Sequence, residues 1–154
     1  MEDTVYLNGR LIPPSQAKIS ISDHGLLYGY GLFESMRAYR GKIFRLEQHI
    51  ERLNNAAQDI GLAKKLNGLD FAKACLNTVS ANNLEDARVR LTVTNGDSEA
   101  MPWVDPGGPP TVLVTAKPYT PLSPEAYEKG YKDVRNIFNV SPLEFTPDNV
   151  ECGK

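Results

Sequence analysis

Cysteine, histidine and tryptophan are all scarce in this chain of 154 residues. Its two cysteines, Cys75 and Cys152, stand far apart, and so low a count favours reduced, structural thiols over a disulfide framework. His24 and His49 are separated by 25 positions, and neither belongs to a cluster with the spacing of metal ligands. The sequence therefore predicts no metal site.

An excess of positive charge is missing as well. The 17 lysines and arginines are outnumbered by 19 acidic residues, which gives a net charge of -2. Such a chain has no surplus of cations to neutralise nucleic-acid phosphates. No apolar run approaches the roughly 20 residues of a membrane helix, and the acidic, polar first four residues are unlike a signal peptide. We therefore expect no nucleic acid, no membrane partner and a cytoplasmic location.

Enough apolar material is present for one folded core, since 41% of the residues are hydrophobic. Asn8-Gly9 separates two short runs, 5–7 and 10–12, and this pair is typical of a tight hairpin turn. A second hairpin is predicted to turn at Arg40-Gly41. Further alternating runs predict strands over residues 32–39, 42–46, 88–94, 111–116 and 131–138, and a short half-buried strand at Ile19 and Ile21.

Two helices are predicted between the strands. Apolar residues recur at spacings of four and three from Leu46 to Ile60, and Gly61 is suited to end that helix. The second helix covers residues 69–81, with Asn82-Asn83 as its end. Four of its positions are candidates for burial: Phe71, Ala74, Cys75 and Val79. Ser123-Pro124 can open a short helical turn.

The order of strands, two helices and strands indicates an α+β fold, an antiparallel sheet with two helices packed on one face. We assign residues 1–138 to one domain and residues 139–154 to a linker remnant or divergent tail. Between residues 101 and 110, four prolines and two glycines exclude regular structure. A loop of this length is usually functional or disordered.

One constellation in the sequence points to chemistry. A glycine-rich stretch, residues 23–31, leads into Phe33-Glu34 and then Arg37. Eleven residues after Glu34, the sequence Arg45-Leu-Glu-Gln-His-Ile-Glu-Arg52-Leu begins on the predicted helix. Glycines permit close approach of the backbone, and an arginine fork suits a phosphate or a carboxylate.

These two linked motifs resemble the N-terminal domain of class IV (fold-type IV) aminotransferases, which depend on pyridoxal 5'-phosphate. The group contains branched-chain aminotransferases, D-amino-acid aminotransferases and aminodeoxychorismate lyases. The resemblance implies that Arg52 binds the cofactor phosphate. The alternative is a solvated helix arginine paired with Gln48 or Glu51.

The same resemblance implies substrate contacts for Tyr28, Phe33, Arg37 and Arg90. Core packing is the alternative for the two aromatic residues, and an outward-facing strand position is the alternative for Arg90. From its place in the motif, Glu34 is expected to hold the glycine-rich stretch. The loop around Trp103 is similar to a family segment that reaches the active site across the interface of a homodimer. The alternatives for this loop are a mobile lid and plain disorder.

The resemblance fails at the lysine that carries the cofactor in this family. That lysine follows a Ser-Pro-Leu segment, here Ser141-Pro142-Leu143, but Pro147 stands near the expected place. Lys154 ends the chain and is expected to be solvated and protonated. We therefore predict no catalytic lysine and no C-terminal cofactor domain in this chain, and interpret it as an incomplete, inactive half of the enzyme that arises from truncation, a frameshift or an incomplete gene model. A natural, shortened, non-catalytic relative is the alternative.

For the parent enzyme, the resemblance implies transfer of an amino group between an amino acid and a 2-oxo acid, with branched-chain amino acids as the best guess. Two alternatives within the family are an aminodeoxychorismate lyase and a D-amino-acid transaminase. An alternative from another class is a non-catalytic binding or dimerisation domain, which the absent lysine favours.

Overall fold

The computed structural model describes residues 3–99, 108–121 and 123–129. A six-stranded sheet forms the framework, and every paired strand in it is antiparallel, in the order β2-β1-β6-β5-β3-β4. The strands are β1 (Val5–Leu7), β2 (Arg10–Ile12), β3 (Gly31–Tyr39), β4 (Lys42–Ile43), β5 (Ala87–Thr94) and β6 (Thr111–Pro118). The helices are α1 (His24–Tyr28), α2 (Leu46–Asp59), α3 (Ala63–Leu66), α4 (Phe71–Ala81) and α5 (Pro124–Lys129), with a 3-10 turn at Pro14–Gln16.

Both predicted hairpins are present. Asn8 and Gly9 have φ values of 47° and 91°, and Arg40 and Gly41 have φ values of 49° and 73°. Positive φ at both central positions gives a turn whose twist matches that of the two flanking strands. The second hairpin is shorter than predicted, since β4 contains only two residues.

The three long strands run in continuous register, and this register divides the sheet into two faces. Val89 and Leu91 of β5 are fully buried and belong to the core cluster that includes α2 and α4. Because side chains alternate along a strand, Arg88 and Arg90 lie on the opposite face. We call these the helix face and the open face of the sheet.

The predicted helical core is confirmed. Leu53 and Ala57 anchor α2 on the helix face. All four positions of α4 that the periodicity marked for burial are buried. Burial raises the pKa of the Cys75 thiol to about 12, so this thiol stays protonated and inert, as expected of a structural cysteine. Cys152 lies outside the described residues.

The predicted strand at Ile19 and Ile21 is wrong. These residues are 46% and 82% exposed, and the backbone around them pairs with no strand in the described part of the chain. The reason is local hydrogen bonding by serine, which competes with strand pairing. The backbone N–H of Ser22 donates to Ser20 Oγ at 3.1 Å, and the N–H of Asp23 donates to the Ser20 carbonyl.

Two short helices escaped prediction. The glycine-rich stretch contains α1, which begins after Asp23, and α3 contains only four residues, too few to show a helical period. The predicted strand over residues 131–138 and most of the proline-rich loop lie outside the described residues.

The chain divides into two compact units, residues 1–119 and 120–154. In the second unit, α5 begins at Pro124, directly after Ser123, as the capping signal predicts. No described helix combines the length and the apolar character that crossing a membrane requires.

Leu53 provides a test of the core. It is 2% exposed beneath α2, so Leu53→Ala leaves a cavity and is expected to lower the free energy of unfolding by about 2–5 kcal/mol. Leu76→Ala on α4, where the side chain is 43% exposed, is the matched control and should cost less than half as much. Urea unfolding measures both. Equal losses would contradict this assignment of the core.

Candidate functional site

Asp23 organises the glycine-rich stretch. It is 1% exposed, and its Oδ1 accepts the backbone N–H of Gly25 at 2.7 Å, which caps α1. Its Oδ2 accepts the hydroxyls of Thr94 at 2.8 Å and Thr111 at 2.6 Å. One buried carboxylate thus joins α1 to the end of β5 and the start of β6, which are the two ends of the long loop.

A second buried contact reinforces this junction. The Asn95 side-chain amide donates to His24 Nδ1 at 2.8 Å, and both residues are almost fully buried. Lys65 Nζ donates to the backbone carbonyl oxygen of Asn95 at 2.7 Å. Gly96, at φ 87°, must be glycine, because a Cβ there would meet the Pro109 carbonyl oxygen at 2.0 Å. The junction is therefore closely packed on the α1 side and the loop side.

Tyr28 stands at the end of α1 and is 49% exposed. The edge of its ring meets the His24 ring at a centroid distance of 5.3 Å. Gly29, at φ 66°, terminates the helix in the left-handed conformation. The backbone thus fixes the position of Tyr28 and leaves about half of its side chain accessible.

Glu34 is the centre of a polar cluster between β3 and α2. It is 3% exposed, and its carboxylate accepts Arg52 Nε at 2.7 Å and Arg52 Nη2 at 2.5 Å. His49 Nδ1 lies 2.7 Å from Glu34 Oε2. Arg52 and His49 are one turn apart on α2, so the cluster pins this helix to β3.

The charge on Glu34 is stabilised by its partners. Burial by itself would raise the pKa of the Glu34 carboxyl, but the hydrogen bonds and positive charges of Arg52 and His49 together outweigh it. The pKa is lowered below its ordinary value of 4.5. The hydrogen bonds to Glu34, followed by its negative charge, raise the pKa of Arg52.

Arg52 is held at one end and accessible at the other. Its side chain is 69% exposed although it binds the buried Glu34. Two of its N–H groups point at Glu34, which leaves three of the five for another partner. Arg45, Gln48 and His49 join Arg52 around a depression of about 200 Å³. This geometry presents a preorganised cation to an anion arriving from solvent.

Phe33, Arg37 and Arg90 all lie on the open face, but only Phe33 and Arg90 are in contact. The Arg90 guanidinium lies over the Phe33 ring at 3.9 Å, and Phe33 is 58% exposed. Arg37 Nη2 bonds Asp86 at 3.4 Å, and its guanidinium lies 3.4 Å from the centre of the Tyr119 ring. Arg90 thus has the outward-facing strand position that the sequence suggested as the alternative to a substrate contact.

The candidate residues fall into two groups. Phe33, Arg37 and Arg90 share the open face, where Phe33 contacts Arg90, whereas Arg52 extends from α2 and its partner is Glu34. Tyr28 lies at the end of α1. The expectation that Glu34 holds the glycine-rich stretch is wrong, because the pleat of β3 turns Glu34 towards α2; Asp23 holds that stretch instead.

Sequence reasoning missed Asp23, His24 and Asn95. An aspartate directly before the first residue of α1 is a helix-capping signal that could have identified the first of them. His24 and Asn95 are far apart in the sequence, so no local sequence pattern predicts their hydrogen bond. Among residues 3–99, 108–121 and 123–129, no three histidines, cysteines or carboxylates gather as a metal site would require.

The lowered pKa of Glu34 predicts a pH-dependent stability. Glu34→Gln should lower the free energy of unfolding at pH 7 by about 1–2 kcal/mol, a modest value because Arg52 lies in solvent. In the native chain, the ionised Glu34 contributes this stability fully above pH 4.5, the ordinary pKa of the carboxyl. The contribution is lost as the pH falls through the lower pKa that Glu34 has in the folded state, so the unfolding free energies of the native chain and Glu34→Gln should converge there. Urea unfolding at several pH values measures it. Glu51→Gln, at an exposed position of α2, is the control. If the difference in unfolding free energy between the native chain and Glu34→Gln does not change with pH, the stabilising role of the ionised Glu34 is refuted.

Comparison with known proteins adds independent information. Residues 31–143 match the family described as amino-transferase class IV. A Methanocaldococcus jannaschii protein, provisionally named a branched-chain-amino-acid aminotransferase, is 42% identical over 120 residues, which cover 77% of this chain and 41% of that protein. A Staphylococcus aureus D-alanine aminotransferase is 30% identical over 143 residues, which cover 92% of this chain and 48% of that protein.

Solved structures give the same result. The crystal structure of the Thermoproteus uzoniensis branched-chain aminotransferase with norvaline has a TM-score of 0.64 and 32% identity, over 78% of this chain and 42% of that one. The chain spans less than half the length of these relatives. Since the family match covers well over half of its residues, including strands β3 to β6 and the Arg52 helix, the chain belongs to the class IV aminotransferases.

Proposed function

We propose that this chain contributes the phosphate-binding arginine and part of the substrate site of a pyridoxal-phosphate aminotransferase. The reaction moves an amino group between an amino acid and a 2-oxo acid, and a branched-chain amino acid is the proposed substrate. A homodimer is the proposed assembly. Arg52 would bind the cofactor phosphate, and Tyr28, Phe33, Arg37 and Arg90 would contact the substrate.

The arrangement of Arg52 carries the proposal. A free arginine on a helix surface loses side-chain entropy when it binds a ligand, whereas the bidentate contact with Glu34 orders Arg52 beforehand. The remaining N–H groups can donate to a phosphate in the planar geometry that arginine favours. His49 also binds Glu34 and limits the movement of that carboxylate.

The described residues fit one end of the cofactor. The depression of about 200 Å³ around Arg52 is smaller than the roughly 300–1,000 Å³ of a site that encloses a small molecule. It suits a phosphate group and leaves the ring to other residues. When bound, the cofactor supplies the electron sink that stabilises negative charge at the amino acid α-carbon. The stretch that the resemblance compares with the lysine segment, residues 141–154, lies outside the described residues.

On the substrate side, Arg90 can bind a carboxylate without losing its stacking on Phe33. The ring covers one face of the guanidinium, and Nε donates to the Thr92 hydroxyl at 3.4 Å, so the N–H groups of the two terminal nitrogens would bind the carboxylate. Phe33 in turn presents an exposed apolar surface to the carbon chain of a substrate. Tyr28 would add a hydroxyl from the end of α1.

A D-amino acid is the second candidate substrate. It is favoured by the Staphylococcus aureus D-alanine aminotransferase, whose match extends over 92% of this chain. The two candidate substrates differ in the configuration of the α-carbon. A comparison of L-norvaline with D-alanine as competitors for cofactor-dependent binding would separate them.

Arg52→Ala tests the phosphate role. Loss of a charge-assisted hydrogen bond should weaken pyridoxal-phosphate binding by the 154-residue chain roughly ten- to a hundredfold, measured by titration of the cofactor absorbance. Arg10→Ala removes an equivalent exposed arginine from the edge strand β2 and should leave the affinity unchanged. Equal affinity of the Arg52→Ala and native chains would reject the role.

Borohydride reduction of the chain with bound pyridoxal phosphate, followed by peptide mass spectrometry, tests for a cofactor lysine. One stoichiometric adduct that amino-acid substrate prevents would mean that the chain carries its own cofactor lysine, contrary to the sequence-based expectation. Scattered, substoichiometric labelling would support the assignment of this chain to phosphate and substrate binding alone.

A further inference from the structure

The dipeptide Asn-Gly occurs three times in this chain, at residues 8–9, 67–68 and 95–96. An asparagine that precedes glycine is open to attack on its side-chain amide by the next backbone nitrogen, because glycine has no Cβ to hinder the approach. By sequence alone the three pairs are close to equivalent. The structure places them in three different surroundings, and these surroundings decide which pair can react.

The pair at Asn95 and Gly96 is locked in the interior. Asn95 is 2% exposed, and its side-chain amide donates to His24 Nδ1 at 2.8 Å. The backbone N–H of Gly96, whose nitrogen would attack, donates to the Thr94 hydroxyl at 3.2 Å. The Pro109 carbonyl oxygen occupies the space beside the Gly96 Cα. Reaction at Asn95 therefore requires a local opening of the junction, in which several contacts break together.

The pair at Asn8 and Gly9 is exposed but held. Asn8 Oδ1 accepts the backbone N–H of Val112 at 2.7 Å, and the backbone N–H of Asn8 donates to the Val112 carbonyl at 2.9 Å. These bonds direct the Asn8 side chain towards β6. The bond to Oδ1 must break before Cγ can turn to the Gly9 nitrogen, and this should slow the attack about tenfold.

The pair at Asn67 and Gly68 is both exposed and free. It forms the centre of a type II turn between α3 and α4, with φ -62° and ψ 131° at Asn67 and φ 80° at Gly68. The backbone N–H of Leu69 closes this turn on the Leu66 carbonyl at 3.2 Å. Neither the Asn67 side-chain amide nor the Gly68 N–H has a hydrogen-bond partner in the described part of the chain. Asn67 also borders an open depression of about 510 Å³, which gives its side chain room to rotate.

We infer that Asn67 is a site of spontaneous modification, where an intramolecular reaction converts the asparagine to aspartate or isoaspartate. The Gly68 nitrogen loses its proton to hydroxide and attacks Asn67 Cγ. A new N–Cγ bond forms, the Cγ–Nδ2 bond breaks, and Nδ2 leaves as ammonia with a proton from water. Water then opens the resulting succinimide ring. Cleavage of the new N–Cγ bond gives aspartate, and cleavage of the original peptide C–N bond gives isoaspartate.

The two products should affect the fold differently. Leu66, the last residue of α3, and Phe71, the first residue of α4, are 5% and 3% exposed, so the turn connects two anchors in the core. Isoaspartate routes the main chain through Cβ and lengthens this tight connection by a CH2 group, which should strain one anchor or the other. Aspartate adds only a charge, close to Lys64 at the rim of the same depression.

The test compares the three pairs within one molecule. The 154-residue chain would be incubated in its folded state at mildly alkaline pH. Peptides from samples taken over time would be separated by liquid chromatography and mass spectrometry, which distinguish asparagine, aspartate and isoaspartate. Asn67 should react about tenfold faster than Asn8, and faster still than Asn95. The rate at Asn67 should rise in proportion to the hydroxide concentration, because the attacking nitrogen must lose its proton.

Incubation in urea is the control for effects of the neighbouring sequence. Unfolding removes all three surroundings, so the three rates should become similar. The effect on the fold is measured by urea unfolding of the chain before and after incubation. The native chain should lose stability as isoaspartate accumulates, whereas Asn67→Gln, which closes such a ring far less readily, should not. A fresh Asn67→Asp variant, with the charge but not the longer main chain, should unfold like the native chain.

Two outcomes would overturn the inference. The first is a rate at Asn67 that does not exceed the rates at Asn8 and Asn95 in the folded chain. The second is a faster rate at Asn67 that persists unchanged in urea, because the neighbouring sequence and not the structure would then be its cause.

Discussion

The two-residue period of strand β3 is the constraint on which both halves of the candidate site depend. Phe33 and Glu34 are neighbours in the sequence, yet the pleat directs them to opposite faces of the sheet. Glu34 enters the core side and binds Arg52, whereas Phe33 emerges on the open face under Arg90. A shift of one residue in register would bury Phe33 and expose Glu34, and both groups would be lost together.

Two buried carboxylates perform the same physical task at different places. Asp23 and Glu34 are each almost inaccessible to solvent, and each is satisfied by several donors. Burial of an unpaired carboxylate is costly, so each acid holds its donors firmly. Asp23 thereby joins α1 to the ends of β5 and β6, and Glu34 joins β3 to α2. Both acids therefore position other parts of the chain.

The open face combines features that a purely structural sheet surface would avoid. An exposed phenylalanine stacks with an arginine, and Arg88 and Arg90, which form no ion pair with another described residue, stand in adjacent cross-strand rows. A face that only needed to be soluble would alternate charges of opposite sign. The chain belongs to the class IV aminotransferases, and three of the residues that we propose to contact a substrate, Phe33, Arg37 and Arg90, lie on this face.

The sequence by itself determined the fold class, both hairpins, the two long helices and the linked motifs that identify the family, because each is written in local turn chemistry or in a period of two or about 3.6 residues. Only the tertiary structure decided the partners of the polar residues. Arg52 binds Glu34, 18 positions away, and His24 meets Asn95 across 71 positions. Arg37, Arg88 and Lys117 become neighbours only through strand pairing. Such contacts depend on register and packing, which no local pattern records.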